Sequence, residues 1–148
     1  KEKETRGLVS NDTVTKLIKY TKAKNVLVIS DSCYSGTLTR DTKTHKIDKS
    51  KKAMSSFINT RSRMVITSGG NQPVLDGGGG NNSIFASVLI EKLNLINEIS
   101  TATELYTFLV KPVVKFSKIL GNKQTPMLSS LLSSGHEGPD FVFLPKVY

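Results

Sequence analysis

Cys33 is the only cysteine in the chain, and it stands where an apolar run gives way to a short polar turn. The run, Val26–Ile29, is rich in β-branched residues and is typical of a strand buried on both faces in a parallel α/β sheet. Such sheets bind their ligands beyond the carboxyl ends of the strands. A thiol there becomes a nucleophile when a cation, a histidine or a helix N-terminus lowers its pKa. Taken alone, the residues leave two interpretations open, a nucleophile and a buried structural cysteine.

A second apolar run ends in small residues in the same way. Arg63–Thr67 predicts another buried strand, and Ser68 opens the Ser-Gly-Gly sequence that follows it. If the two strands are parallel, Ser68 lies at the same edge of the sheet as Cys33. Residues 69–82 are rich in Gly, Asn and Pro, which indicates a loop that moves or that lets the backbone approach another group closely.

Three helical patterns surround these strands. The first begins at Asn11 or Asp12 and leads into the cysteine strand. The second begins at Asn82 or Ser83, and the third follows the capping box that runs from Thr101 to Glu104. Helices that alternate with buried strands predict an α/β fold.

Other features of the chain mark interruptions. Pro112 predicts a kink or break in the third helix. Residues 37–56 show little periodicity and predict a long exposed loop, which is uncommon in a compact domain unless it has a function. Phe141–Leu144, bounded by prolines, predicts a last strand near an edge. Nothing early in the chain supplies a second neighbour for the cysteine strand, so we expect the chain to be part of a domain.

Composition excludes several classes of protein. The chain has 148 residues, 37% hydrophobic and 22% charged, which suits one globular domain. It contains no apolar run long enough for a membrane span and no signal peptide at its first residues. A single cysteine excludes an internal disulfide and fits a reducing compartment, and we expect a cytoplasmic location. With only His45 and His136, far apart in sequence, we expect no metal site.

Positive charge is concentrated in residues 38–63. This segment holds eight Lys or Arg residues against two Asp, so it carries six of the nine net positive charges of the chain. Nucleic-acid binders place such charge on a structured face with aromatic or glycine-rich partners. Because residues 38–56 contain no aromatic residue, we favour a solvated loop over a nucleic-acid site. Four consecutive glycines, Gly77–Gly80, leave nucleotide binding as an alternative that we do not favour, since the Lys-Ser/Thr of a phosphate-binding loop does not follow them.

The residues around the cysteine carry a resemblance to a known family. The sequence Asp31-Ser32-Cys33-Tyr34-Ser35-Gly36 resembles the motif around the nucleophile of metacaspases and bacterial caspase-like cysteine peptidases. Three further blocks are similar to the second half of that domain, in consistent order over about residues 8–145: Val65–Gly80, Ser83–Ala86 with the helix after it, and Gly135–Phe143. The resemblance implies a caspase-like three-layer α/β sandwich. Its mostly parallel sheet has helices on both faces, with N-terminal strands missing from this chain.

The resemblance also implies hydrolysis of peptide bonds by a Cys–His dyad. Cys33 matches the nucleophile, and its own N–H would form part of the oxyanion hole. The catalytic histidine of the family lies upstream of the cysteine, yet no histidine precedes Cys33 here. We interpret His45 as solvated and His136 as structural, and expect the catalytic histidine to come from an upstream segment that is not in this chain. The alternative is a catalytically inactive caspase-like scaffold or interaction module.

The same family match implies the substrate. In metacaspases, the aspartate that matches Asp31 lines the pocket that binds Arg or Lys. The resemblance therefore predicts cleavage after basic residues. Asp31 lies two residues before Cys33 on a strand, so its side chain would leave from the same face as the sulfur. We expect Ser68 to line the cleft and Asp76 either to add a second carboxylate or to act as a turn residue. Expected partners are basic peptide substrates and the N-terminal part of the same domain, with neither a membrane nor nucleic acid.

We therefore interpret residues 1–148 as a partial caspase-like peptidase domain. Residues 1–37 form the nucleophile helix–strand segment, residues 38–60 a basic exposed loop, and residues 61–148 a small-subunit-like part. Family members are often cut between their larger and smaller parts, so we expect autoprocessing within residues 38–56. No cofactor is expected, and the sequence leaves activation by calcium open.

Overall fold

The computed structural model describes residues 10–33, 39–41, 48, 50–70, 78–79 and 81–145. In chain order its helices and strands are α1 (Asn11–Tyr20), β1 (Asn25–Cys33), β2 (Thr39–Asp41), α2 (Lys51–Asn59), β3 (Ser62–Gly69), β4 (Gly78–Gly79), β5 (Asn82–Ser83), α3 (Ile84–Leu95), β6 (Ser100–Thr101), α4 (Ala102–Ile119), β7 (Met127–Leu131) and β8 (Val142–Phe143).

The main sheet has the strand order β1-β3-β7-β2. β1 and β3 are parallel, with Asn25 opposite Ser62 and Ser30 opposite Thr67. This pairing confirms the predicted parallel strands and brings their carboxyl ends to one edge, which we call the carboxyl edge. β7 runs antiparallel to both β3 and β2, so the described sheet is mixed where we expected it to be mostly parallel.

Alternation along β3 divides the core into two clusters. Met64 and Ile66 pack against the buried faces of α3 and α4. Val65, between them, contacts Ile18 of α1 and Leu131 of β7 on the other face of the sheet. Because successive strand residues point to opposite faces, one strand contacts helices on both sides. This arrangement confirms the α/β fold with helices on both faces of the sheet.

Polar caps set where the helices begin. Ser10, Ser50 and Ser83 each accept a hydrogen bond from the backbone N–H three residues later, as N-caps do. The first helix therefore starts from Ser10 rather than from Asn11 or Asp12, whereas Ser83 agrees with one of the two residues expected. The capping box between Thr101 and Glu104 is present.

Pro112 does not end α4. The helix runs from Ala102 to Ile119 without a break, although a proline removes one backbone hydrogen bond. Leu109 and Val113, on either side of Pro112, are fully buried in the core. Burial of such side chains contributes about 1.5–3 kcal/mol each, which is enough to keep the helix continuous across the proline.

The expected loop at residues 37–56 is wrong in two places. Residues 39–41 form β2 and residues 51–59 form α2. α2 has a narrow apolar face in which Met54 is buried and Phe57 is half-buried, and Ser50 caps it. So short a face among lysines and serines gave too weak a periodic signal to predict a helix. Residues 42–47 lie outside the described part of the chain.

The last strand is not part of the main sheet. β8 pairs antiparallel with β6, with Val142 opposite Thr101, in a separate two-stranded sheet. The backbone N–H of Thr103 also donates to the carboxylate of Asp140, at 3.1 Å. These contacts fasten the end of the chain to the start of α4.

Candidate active site

Cys33 ends β1 at the carboxyl edge. Its Cα pairs with that of Gly69, at the end of β3. The backbone position is therefore the one predicted for a nucleophile in an α/β sheet. The Cys33 side chain and residues 34–38 lie outside the described part of the chain.

An irregularity separates Cys33 from the regular part of β1. Ser30 pairs with Thr67 and Cys33 pairs with Gly69, so β1 has three steps where β3 has two. One extra residue of this kind is a β-bulge, which redirects side chains and is frequent beside active sites. Strict alternation between Asp31 and Cys33 is broken there. The inference that both side chains leave one face therefore does not follow from spacing alone.

Asp31 is exposed and is held by a residue from another element. Its Oδ2 accepts a hydrogen bond from the hydroxyl of Ser83, at 2.5 Å. The same hydroxyl accepts the backbone N–H of Ala86 at 2.9 Å, in the cap of α3. The Asp31 carboxylate thus lies beside the N-terminus of a twelve-residue helix, where negative charge is stabilised. Next to it, the hydroxyls of Ser30 and Ser32 lie 2.6 Å apart.

Ser68 is placed inside the protein rather than at its surface. Its side chain is fully buried, and its carbonyl accepts a hydrogen bond from Nε2 of Gln124 at 3.0 Å. Its hydroxyl has no hydrogen-bond partner among the residues that the structure describes. Ser68 is therefore near the predicted carboxyl edge, but its side chain is buried. Its role in lining a cleft stays a prediction.

Asp76 lies outside the described residues, as do the rest of residues 71–77. Gly78 and Gly79, the next described residues, form β4, in which Gly78 pairs with Ser83 of β5. The segment that follows Asp76 is therefore joined to the serine that holds Asp31.

His136 lies near the amino end of β3, which is the opposite end of the strands from Cys33. Its Nδ1 accepts the backbone N–H of Arg63 at 3.0 Å, near the start of β3. Gly69 lies six residue steps along the strand from Arg63, which corresponds to about 20 Å. Burial lowers the pKa of His136, against opposing contributions from Asp140 and Glu137. An acceptor nitrogen in a neutral ring at this distance agrees with the structural role expected for His136. His45 is outside the described residues.

Glu137, next to His136, makes further contacts near the start of β3 that the sequence did not predict. The Glu137 carboxylate accepts the backbone N–H of Arg61 at 2.8 Å, and the Glu137 N–H donates to the Arg61 carbonyl at 2.9 Å. We call His136 and Glu137 the clasp, because together they fix the C-terminal segment to the start of β3.

Arg63 is a charged residue inside the protein. It ends the basic segment, residues 38–63, but it also begins the predicted buried strand, and its side chain is 1% exposed. The guanidinium donates to the carbonyl of Lys24 at 2.6 Å and to that of Ala23. Burial lowers its pKa. The position of Arg63 in a predicted strand was the signal for its burial. A strand that is covered by helices on both faces leaves its side chains no access to solvent.

Among the described residues, no group of three or more His, Cys, Asp or Glu side chains is arranged to hold a metal ion. No described helix has the length and apolar character needed to cross a membrane. A cavity of about 650 Å³ lies at the C-terminal end of α3, lined by Leu93, Ile96 and Phe143 among others. It is remote from Asp31, which contacts the opposite end of that helix.

Comparison with known proteins agrees with this geometry. A family model of the caspase domain matches residues 2–134, which is most of the chain. No curated protein and no solved structure matches it. The match accounts for the sheet with helices on both faces and for a cysteine-peptidase type of function, and the chain therefore belongs to the caspase domain family.

Proposed function

We propose that this protein is a cysteine endopeptidase that cleaves peptide bonds after Arg or Lys, with Cys33 as its nucleophile. The observation that carries the proposal is the position of Cys33 in a caspase domain, at the carboxyl end of β1 and opposite Gly69. Asp31 supports the specificity. It is an exposed carboxylate two residues away, held in place by Ser83.

In the proposed mechanism, a histidine takes the proton of the Cys33 thiol, and the sulfur attacks the carbonyl carbon of the scissile bond. Backbone N–H groups of the turn, including that of Cys33, stabilise the oxyanion. The C–N bond breaks as the histidine returns the proton to the leaving amine, which produces a thioester. Water then hydrolyses the thioester and restores the thiol. No cofactor is required, and a reducing, cytoplasmic setting would keep the thiol free.

We propose that the histidine comes from a segment that pairs with β1. In the described sheet β1 is an edge strand, with β3 on one side only. An edge strand presents unpaired backbone N–H and C=O groups that another strand can bind. A strand from the N-terminal part of the same domain would place a side chain from its own carboxyl end beside Cys33.

The Asp31 carboxylate is suited to a cationic substrate side chain. A guanidinium or ammonium group gains charge-assisted hydrogen bonds from a carboxylate, and these are about twice as strong as neutral ones. An acidic substrate side chain would be repelled. This reasoning supports cleavage after Arg or Lys and argues against cleavage after Asp.

The test uses the complete protein, as wild type and as Cys33→Ala, with an arginine-directed covalent cysteine-peptidase probe and with peptides that differ only in Arg, Lys or Asp before the scissile bond. We expect labelling and cleavage after Arg and Lys in the wild type and neither in Cys33→Ala. Thermal unfolding of both proteins controls for folding. A folded wild-type protein that shows no Cys33-dependent labelling would contradict the proposal and favour an inactive scaffold.

A further inference from the structure

We propose that Ser83 is a positioning residue for substrate selection, because its hydroxyl holds the Asp31 carboxylate in the orientation that receives a basic side chain. The inference rests on the proposed function, since it takes Asp31 as the group that selects the substrate. It adds a residue from a different part of the chain, fifty-two positions away, to that selection.

Ser83 is fixed by two contacts apart from its bond to Asp31. Its backbone pairs with Gly78 in the β4–β5 ladder. It is also the N-cap of α3, with φ −63° and ψ 162°, and its hydroxyl accepts the N–H of Ala86. The hydroxyl is therefore anchored before it reaches Asp31. A hydroxyl has one donor and two acceptor positions, so it can cap the helix and donate to the carboxylate at the same time.

Asp31 needs such an anchor. It is exposed, and it lies within the bulge of β1, where the regular pairing with β3 is interrupted. An exposed side chain that must be ordered on binding costs conformational entropy at that moment. The bond from Ser83 orders the carboxylate beforehand. The bond engages Oδ2, one of the two oxygens of the carboxylate.

The first measurement is binding without catalysis. The complete protein carrying Cys33→Ala is titrated with a fluorescent peptide that has Arg before the uncleaved bond. We expect Ser83→Ala to raise Kd about tenfold, a change of about 1.4 kcal/mol. Ser83→Thr, which retains both the cap and the donor, should stay close to the parent protein. Ser83→Ala should add nothing in an Asp31→Ala background, because the hydroxyl acts through Asp31.

The chain offers a matched control in Ser50. It caps α2 through the N–H of Ala53 and donates to another aspartate, Asp48, at 3.0 Å. Ser50→Ala should lower thermal stability, as loss of any cap does, without changing Kd for the peptide. In the active protein, Ser83→Ala should raise KM for Arg peptides and leave the rate of Cys33 alkylation by iodoacetamide unchanged. A merely structural cap would show neither of these differences.

The outcomes separate this inference from the proposed function. If the active protein cleaves after Arg and Ser83→Ala binds as the parent does, the inference is overturned and the function stands. The same holds if Ser83→Ala weakens binding equally with and without Asp31. If the binding pattern is as expected but the wild type cleaves no peptide, the catalytic proposal fails and the role of Ser83 stands. An Arg peptide that does not bind at all overturns both.

Discussion

Arg63 is buried, and its guanidinium donates to two adjacent backbone carbonyls. Its guanidinium bonds to Ala23 and Lys24, in the connection between α1 and β1. A planar fork can reach two adjacent acceptors at once, whereas a lysine ammonium is a single point of charge. Arg63 therefore ties the first helix–strand unit to β3.

We expect Arg63→Lys to lower the free energy of unfolding by about 1–3 kcal/mol, because a buried lysine ammonium cannot donate to both carbonyls as the guanidinium does. Urea denaturation monitored by circular dichroism measures this. Arg61→Lys is the matched control, since the Arg61 side chain is exposed and a change within about 0.5 kcal/mol is expected there. Equal losses in the two variants would show that the fork has no special role.

His136 makes stability depend on pH. Burial lowers its pKa in the folded protein, so between the unfolded value of about 6.5 and the lower folded value only the unfolded chain binds the proton. Its contribution to stability is therefore present above pH 6.5 and is lost as the pH falls towards the folded pKa. Asp140 and Glu137 are the nearby charges, and both oppose the shift.

We expect His136→Asn to flatten the fall in unfolding free energy below pH 6.5, because the amide oxygen can accept the Arg63 N–H without titrating. Urea denaturation at a series of pH values measures the slope. His45 is present in both proteins and so cancels in the comparison. An unchanged slope would mean that His136 is not the titrating group.

At the scale of elements, strong local patterns were predictable and weak ones were not. β3 is a fully buried strand, as its apolar run predicted, and the capping box preceded α4 in the sequence. β1 is a strand as predicted, but residues 26–28 are only half-buried and Ile29 is exposed, because β1 lies at the edge of the described sheet. α2 was missed because its apolar face is short. β7 was missed because two of its five residues are serines, and its position depends on pairing with β3 and β2 rather than on propensity.

In the candidate site, too, the local features were predictable from the sequence and the long-range contacts were not. The motif around Cys33, together with the sheet edge, was predictable because both are local. The bond between Ser83 and Asp31 was not, since it joins residues fifty-two positions apart and depends on where α3 begins. The bond from Gln124 to the carbonyl of Ser68 likewise joins residues fifty-six positions apart. Such contacts are set by tertiary packing, which no spacing in the sequence encodes.

At the scale of the molecule, α2 narrows the place where processing could occur. A protease needs an extended chain in its cleft, and residues 51–59 are helical. Of the expected region, residues 38–56, the part after Asp41 and before Ser50 is left as the site for a cut. Lys43, Lys46 and Lys49 lie within it.

We expect self-processing of the complete protein to cut after one of these lysines and not after Lys51 or Lys52. Peptide mass spectrometry of an active preparation, with Cys33→Ala as the uncut control, identifies the bond. Cuts within α2, or cuts that persist in Cys33→Ala, would contradict this prediction.

Such a cut would not take the molecule apart. The piece before it supplies β1 and β2, which are the two outer strands of the described sheet, and the piece after it supplies β3 and β7, the two inner strands. The two polypeptides would therefore be interleaved. One of them supplies both outer strands of the described sheet, and the other supplies its two inner strands. They should elute together on size exclusion and separate only in denaturant, so that the cleaved protein behaves as a heterodimer that was made from a single chain.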